Sequence, residues 1–274
     1  MSQLKPVTIV PRTAWRRGLS SAGERAVPEE AAVSFTYNRS SHAVMMATPA
    51  DLEDFAVGFS LTEGIVQNPD EIEEIEIVLH KTGIEARMWL PDSRFGALSE
   101  RKRVLAGPSG CGLCGLDSLD AAMRQPRRVS DDSHFSPDAV ARALDSLYPA
   151  QILNRETSAL HAAAFWHPAQ GLVALREDIG RHNALDKLVG AVARRKAAVA
   201  GGMLLLTSRV SVEMVQKAAV LGASVLVAVS APSALALRTA EAADITLVAI
   251  ARGDGFEVFT HSHRIEPGAA THVA

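Results

Sequence analysis

Cys111 and Cys114 are the only cysteines of the chain. They stand in GPSGCGLCGLDSL, residues 107–119, among Gly110, Gly112 and Gly115. Thiols at C-x-x-C spacing support four kinds of chemistry. In dithiol redox chemistry the second thiol resolves a mixed disulfide, usually where a strand runs into a helix; here a glycine-rich polar stretch precedes the pair instead. A tetrahedral zinc site needs two further ligands. With no second C-x-x-C these would be histidines, of which His134 is the nearest downstream, with His161, His167, His182, His261 and His263 scattered beyond it. His261 and His263, close to the terminus, read as a solvated tail. In a persulfide relay one thiolate accepts a sulfur atom and hands it on, and glycines let the loaded residue travel. As purely structural residues, the two would be small buried apolar groups, which this glycine-rich setting disfavours. Spacing alone leaves sulfur relay and redox chemistry level, ahead of metal binding and of a structural role.

A second set of polar residues falls at strand ends in the C-terminal half. Glu177, Asp178, Gly180, Arg181, His182 and Asn183 lie between a strand and a helix, where open α/β sheets bind ligands. Arg181 and His182 are placed to meet a phosphate or a polar ring at a helix start, and Asp178 to cap the turn. An exposed capping cluster explains the same residues equally well. Thr207, Ser208 and Arg209 end the next apolar strand, Ser230 to Ser233 the one after, and Arg252, Gly253, Asp254 and Gly255 a third. Hydroxyls, arginines and glycines at three strand ends are material for a phosphate or purine pocket. Neither a P-loop nor a Rossmann fingerprint is present. Ser208 and Ser230 lie outside any G-x-S-x-G, and His182 with Asp186 is ordinary i,i+4 pairing, so hydrolase chemistry is disfavoured.

The elements that must position these groups follow from patterning. The 274 residues are 47% hydrophobic and 22% charged, with a net charge of -3, the composition of a packed protein without a bulk positive field for nucleic acid. No apolar run of about eighteen residues predicts a membrane span, and no signal peptide is legible. A cysteine pair in so long a chain is no disulfide scaffold, so a reducing cytoplasm is the expected setting. Residues 1–30 read as a flexible leader. A smaller domain is expected over 31–148: a hairpin around NRSS, a helix capped by Thr48 with Pro49 at its first position, a second hairpin turning at Gly83, and the cysteine segment. Residues 149–274 read as the larger domain, beginning after Tyr148 and Pro149. There a hairpin ending in LREDIG is followed by helices alternating with the continuous apolar strands MLLLTS, SVLVAVS and ITLVAIA, which predicts a largely parallel sheet covered on both faces. The fold class is thus α/β, with an α+β N-terminal part.

Together TPADLEDFAVGFSLTEGIV, SGCGLCG, EDIGRHNALDKLVG, TSRVSVEMVQKAAVLGASVLVAVSAP and ADITLVAIARGDGFEVFTH, running from residue 48 to 261, resemble the formate dehydrogenase accessory sulfurtransferases, the FdhD family. The resemblance implies a cytoplasmic homodimer that takes persulfide sulfur from a cysteine desulfurase. The sulfur goes to the bis-guanine-dinucleotide molybdenum cofactor, bound as cargo and mimicked by GDP, before that cofactor enters formate dehydrogenase. It implies a three-layer, cytidine-deaminase-like sheet in the C-terminal half, Cys111 as the persulfide carrier with Cys114 its partner, and cofactor contacts from Ile250, Ala251, Arg252, Gly253, Asp254 and Gly255. With the strand-end residues Ser208, Arg209, Ser230 and His182, these make up the candidate site. No structural zinc, no nucleic acid and no membrane are expected, and zinc deamination is rejected because the second half has no cysteine. A dithiol oxidoreductase and a non-catalytic cofactor-binding chaperone are the rival readings. Two departures bear on cofactor contacts: TSALH places Ser158 and Ala159 where the family often has glycines before the histidine, and IARGDG puts Asp254 where a diphosphate is expected.

Overall fold

The computed structural model describes residues 4–96, 98 and 126–267. Cys111, Cys114 and nearly all of the segment around them lie outside the described residues. Two sheets carry the architecture. The larger has six strands in the order β12-β11-β10-β9-β7-β8. These are β7 (His161–His167), β8 (Gly171–Asp178), β9 (Met203–Leu206), β10 (Val225–Ala228), β11 (Thr246–Arg252) and β12 (Gly255–Val258). Only β9, β10 and β11 run parallel; β7, β8 and β12 are antiparallel to their neighbours, so the sheet is mixed rather than largely parallel. The hairpin connections at both flanks enforce this, since consecutive strands joined by short turns must reverse direction.

The central strands are apolar throughout because both of their faces are covered. Leu204, Leu206, Leu226 and Leu247 face α5 (Arg181–Arg194), α6 (Val212–Leu221) and α7 (Ala234–Ala243). Met203, Leu205, Val225 and Val248 face α2 (Pro137–Asp145) and α3 (Leu147–Ala150), through Ala139, Val140, Ala143 and Leu147. The expected boundary at 148/149 therefore falls inside one packed layer, and α2 belongs by its contacts to the larger sheet. The short α4 (Ile152–Thr157) completes this corner.

The smaller sheet, in the order β4-β3-β6-β5, comprises β3 (Ala31–Tyr37), β4 (Ser40–Ala47), β5 (Glu74–His80) and β6 (Gly83–Trp89). It packs through Phe35, Tyr37, Ile84 and Met88 against α1 (Leu52–Thr62). Thr48 does not cap this helix. Asp51, in a left-handed conformation, occupies the N-cap position, and Thr48 is engaged elsewhere.

Residues 7–28, expected as a loose leader, form a continuous antiparallel ladder of β1 (Val7–Arg16) and β2 (Leu19–Pro28), turned by Arg17 and Gly18 at positive φ. Such a two-residue turn matches strand twist. The ribbon is mostly exposed, so it imposes little of the apolar alternation that would mark it in sequence. The C-terminal stretch is likewise no solvated tail: Arg264 is buried on Asp244, and Phe135 bridges to Ile265. Among the described residues no helix is long and apolar enough to cross a membrane.

Candidate functional site

Register brings the polar strand ends to one edge of the larger sheet. His161, starting β7, pairs with Asp178, ending β8, and Ala163 pairs with Leu206 at the end of β9, beside which β10 and β11 run parallel. A cleft of about 490 Å³ opens there, between the strand ends and the corner made by α2, α3 and α4. Ala251, Arg252 and Gly253 line it, and so do His161, Thr207 and Val229. This is where ligands bind in open α/β sheets.

The arginine-bearing segment is aimed by a break in β11. Its pairing with β12 shifts register between Ala249 and Arg252, and Ile250 within the break has φ 53°. A left-handed conformation is rare for a β-branched residue and costs on the order of 1–3 kcal/mol. It is held by the Ile250 N–H, which donates to the Ser230 carbonyl at 3.2 Å. Bulges of this kind re-aim side chains at sheet rims. Gly253 has open space where a Cβ would stand, so a ligand can approach its backbone closely.

Ser208, Arg209, Ser230 and His182 sit at the same edge without lining the cleft. Ser208 is buried, and its hydroxyl donates to the Arg209 carbonyl at 3.0 Å. Ser230 acts through the backbone bond to Ile250. Arg209 is exposed and contributes through its field: burial, then Arg181 and Arg209, hold the half-buried His161 imidazole below the ordinary histidine pKa. Burial and then Arg181 and Lys217 do the same to His182 at the start of α5. Arg181 lies near both imidazoles and Arg209 near His161, and such cationic groups suit a phosphorylated ligand.

The carboxylates of the ligand-or-cap cluster before α5 are engaged internally, whereas Arg181 Nε and His182 Nε2 are buried without a hydrogen-bond partner among the described residues. Glu177 accepts the Leu153 and Asn154 N–H groups at 2.9 and 2.7 Å, capping α4 and fixing that wall of the cleft. Burial raises its carboxyl pKa. Asp178, wholly buried, accepts from the Thr48 and Gly180 N–H groups and from the Asn183 amide, and pairs with Lys187 Nζ at 2.7 Å. Thr48 in turn accepts from Ile179 N–H and, through its carbonyl, from Lys187. Asp186 pairs with Lys217 and accepts from Thr62. The expectation that Asp178 caps the turn holds, and most of the remaining partners lie on β4, α1 and α6.

Thr207 was singled out in the sequence as strand-end pocket material, and it lines the cleft; His161 entered the sequence reading only as a scattered histidine, although it begins an apolar strand, and Tyr148 and Gln151 sit in a stretch that read as a domain boundary.

A family model described as the FdhD/NarQ family matches residues 28–266. The chain is 54% identical over 257 residues to a sulfur carrier protein FdhD of Agrobacterium fabrum, covering 93% of this chain and 95% of that protein. It is 49% identical over 257 residues to the protein of that name from Cupriavidus necator, covering 93% and 89%. The crystal structure of a provisionally named formate dehydrogenase accessory protein from Desulfotalea psychrophila superposes with a TM-score of 0.73 over 95% of this chain and 99% of the other, at 23% identity, a likeness of fold.

Proposed function

The chain belongs to the FdhD/NarQ family, and from that premise we propose that it is a sulfurtransferase serving formate dehydrogenase. Cys111 accepts sulfur from a cysteine desulfurase. Its thiolate attacks the outer sulfur of the donor's persulfide, the donor cysteine leaves as thiolate, and Cys111 is left as a persulfide, so atoms and charge balance. The outer sulfur then passes to the molybdenum of a bis-guanine-dinucleotide cofactor, held as substrate at the strand-end cleft. Where Cys114 attacks the inner sulfur, a Cys111–Cys114 disulfide closes and the outer sulfur departs as hydrosulfide. The protein works in the cytoplasm as a homodimer.

The observation that carries this reading is 54% identity to a sulfur carrier protein over 93% of the chain, in a chain whose only thiols stand in SGCGLCG. The cleft supports the cargo. Arg252 offers forked donors to a phosphate, the Ala251–Gly253 segment is pre-set by the strained turn at Ile250, and Arg181 and Arg209 bias the edge toward anions. The sheet, with its parallel centre and helices on both faces, fits the cytidine-deaminase-like arrangement; without cysteines in that half, it serves here as a binding frame.

Incubation with a cysteine desulfurase and cysteine, followed by intact mass measurement, tests the relay. One added sulfur atom, released by reductant and absent in Cys111→Ala, is expected. Undiminished loading in that variant refutes Cys111 as carrier. Activation of a formate dehydrogenase with no sulfur donor present favours dithiol redox chemistry instead.

A further inference from the structure

Four side chains at the starts of α5 and α6 hold buried polar atoms with no hydrogen-bond partner among the described residues: Arg181 Nε, His182 Nε2, Ser211 Oγ and Glu213 Oε2. Both helices pack on the same face of the larger sheet and begin just past the ends of β8 and β9. None of the four residues lines the strand-end cleft, which opens toward α2, α3 and α4. Ser211 occupies the N-cap position of α6, where a serine ordinarily accepts from an N–H of the first turn, yet its hydroxyl makes no capping bond. An unsatisfied buried polar group is costly, above all a charged one, so four together mark a place for a ligand.

The types of the four groups say which ligand. Lys217 and Asp186, the other charges that face His182 from α5 and α6, are spent on each other at 2.7 Å. The His182 imidazole is held neutral at pH 7 by burial and then by Arg181 and Lys217, so it carries a single N–H. With that proton on Nε2, the cluster offers three donors, from Arg181, His182 and Ser211, and one acceptor, the Glu213 carboxylate. A simple cation is repelled by Arg181. Sulfate satisfies the donors but has no proton at neutral pH, so Glu213 repels it. Hydrogen phosphate matches all four, with bare oxygens for the donors and one P–OH for the carboxylate.

We propose that Arg181, His182, Ser211 and Glu213 form a phosphate site, separate from the strand-end cleft, that requires a P–OH on its ligand. Arg181, His182 and Ser211 donate to the bare oxygens, and Glu213 accepts from the hydroxyl. The site is independent of the sulfur relay.

Calorimetry on the full-length protein in phosphate-free buffer, with inorganic phosphate and sulfate as probes, tests it. One phosphate per chain is expected, bound at least ~10-fold more tightly than sulfate. Glu213→Gln puts a donor where only an acceptor stood, and should erase that preference by weakening phosphate and strengthening sulfate. Arg252→Ala should leave the preference unchanged, which separates this site from phosphate held in the cleft. If Glu213→Gln fails to fold by circular dichroism, Ser211→Ala decides, since its hydroxyl caps nothing; ~10-fold weaker phosphate is expected. Glycerol 3-phosphate, which still carries a P–OH at about pH 6, tells a monoester terminus from the free ion. Binding that Glu213→Gln weakens supports a site for the terminus, and its exclusion while phosphate still binds supports a closed site for the ion. Equal affinity for phosphate and sulfate overturns the assignment, as does a preference that survives in folded Glu213→Gln. Unchanged phosphate affinity in Ser211→Ala, loss of phosphate in Arg252→Ala, or no saturable phosphate binding at all overturns it too.

Discussion

Gly58 on α1 and Gly190 on α5 face each other where the two helices cross, and an alanine at either position should force them apart. A Cβ built on Gly58 falls 1.7 Å from the Asp186 carbonyl oxygen, and one on Gly190 falls 1.8 Å from the Asp54 carbonyl oxygen. Carbon and carbonyl oxygen normally rest at roughly 3.3 Å or more, so the backbones must retreat by about 1.5 Å. No flexible side-chain end can absorb this, because both obstacles are helix backbone. The same seam carries short bonds to charged groups: Thr62 to Asp186 at 2.6 Å, Arg194 to Asp54 at 2.6 Å and Lys187 to the Thr48 carbonyl at 2.8 Å. A shift of that size takes such bonds out of range, and each is worth about 1.5–3 kcal/mol. Overpacking costs about 1–3 kcal/mol more, while the better helix propensity of alanine returns at most about 1 kcal/mol. Steric cost therefore wins. Gly190→Ala is expected to destabilise by at least ~3 kcal/mol, a fall of roughly 6–12 °C in Tm for a chain of this size. Thermal and urea unfolding by circular dichroism measure it. The double variant with Gly58→Ala should cost less than the sum, since separated helices accommodate both methyls. A Tm within about 2 °C of the parent, or above it, refutes the close-contact reasoning.

Ser158 ends α4 at φ 56°, a conformation that favours glycine, so Ser158→Gly should stabilise by about 0.5–1 kcal/mol, read as a higher urea midpoint at unchanged slope. Lys187→Met strands the wholly buried Asp178 without its cation and should cost about 3–5 kcal/mol, part of it recovered by adding Asp178→Asn; equal losses in the single and double variants contradict the pairing. His161 and His182 both have native pKa values pushed down, chiefly by burial, so below about pH 6.5 the unfolded chain binds more protons than the native one. Stability present at neutral pH should therefore decline on acidification through about pH 6.5, the unfolded-state value, and the double replacement by Gln should flatten that decline. An unchanged slope in that variant assigns the acid sensitivity to other groups.

The elements of the larger sheet were legible because strands buried on both faces are written as unbroken apolar runs, and MLLLTS, SVLVAVS and ITLVAIA each became a strand. Their directions were less so. The β7–β8 hairpin was legible from its turn, but nothing in the run at β7 records that it pairs antiparallel with β9. The β1–β2 ribbon was missed for the opposite reason: it buries little, so alternation has little to follow. At the site, Arg252 was legible from its place after a strand. Gln151 was not, because a corner between two short helices leaves no periodic trace. The cluster Glu177 to Asn183 was legible as a polar joint but not in its purpose. Thr48 and Asp178 are separated by 130 positions, and no local pattern records a partner that far away.

That long-range pairing gives the most distinctive stretch of the sequence a structural task. EDIGRHNALDKLVG supplies two adjacent carboxylates that hold different things. Glu177 holds the first turn of α4, and with it the cleft wall bearing Asn154 and Gln151. Asp178 holds the turn after β4 and pairs with Lys187 one helix face further on. Gly190 then lets α1 approach until backbone touches backbone. The smaller sheet and α1 are thereby locked to the strand that carries the cleft wall, through short bonds between buried groups rather than through a solvated interface. A buried ion pair adds little net stability over an apolar packing, but it tolerates few alternative arrangements, since either charge left alone is costly. Such a joint fixes geometry, and positioning is a large part of what any group-transfer site contributes.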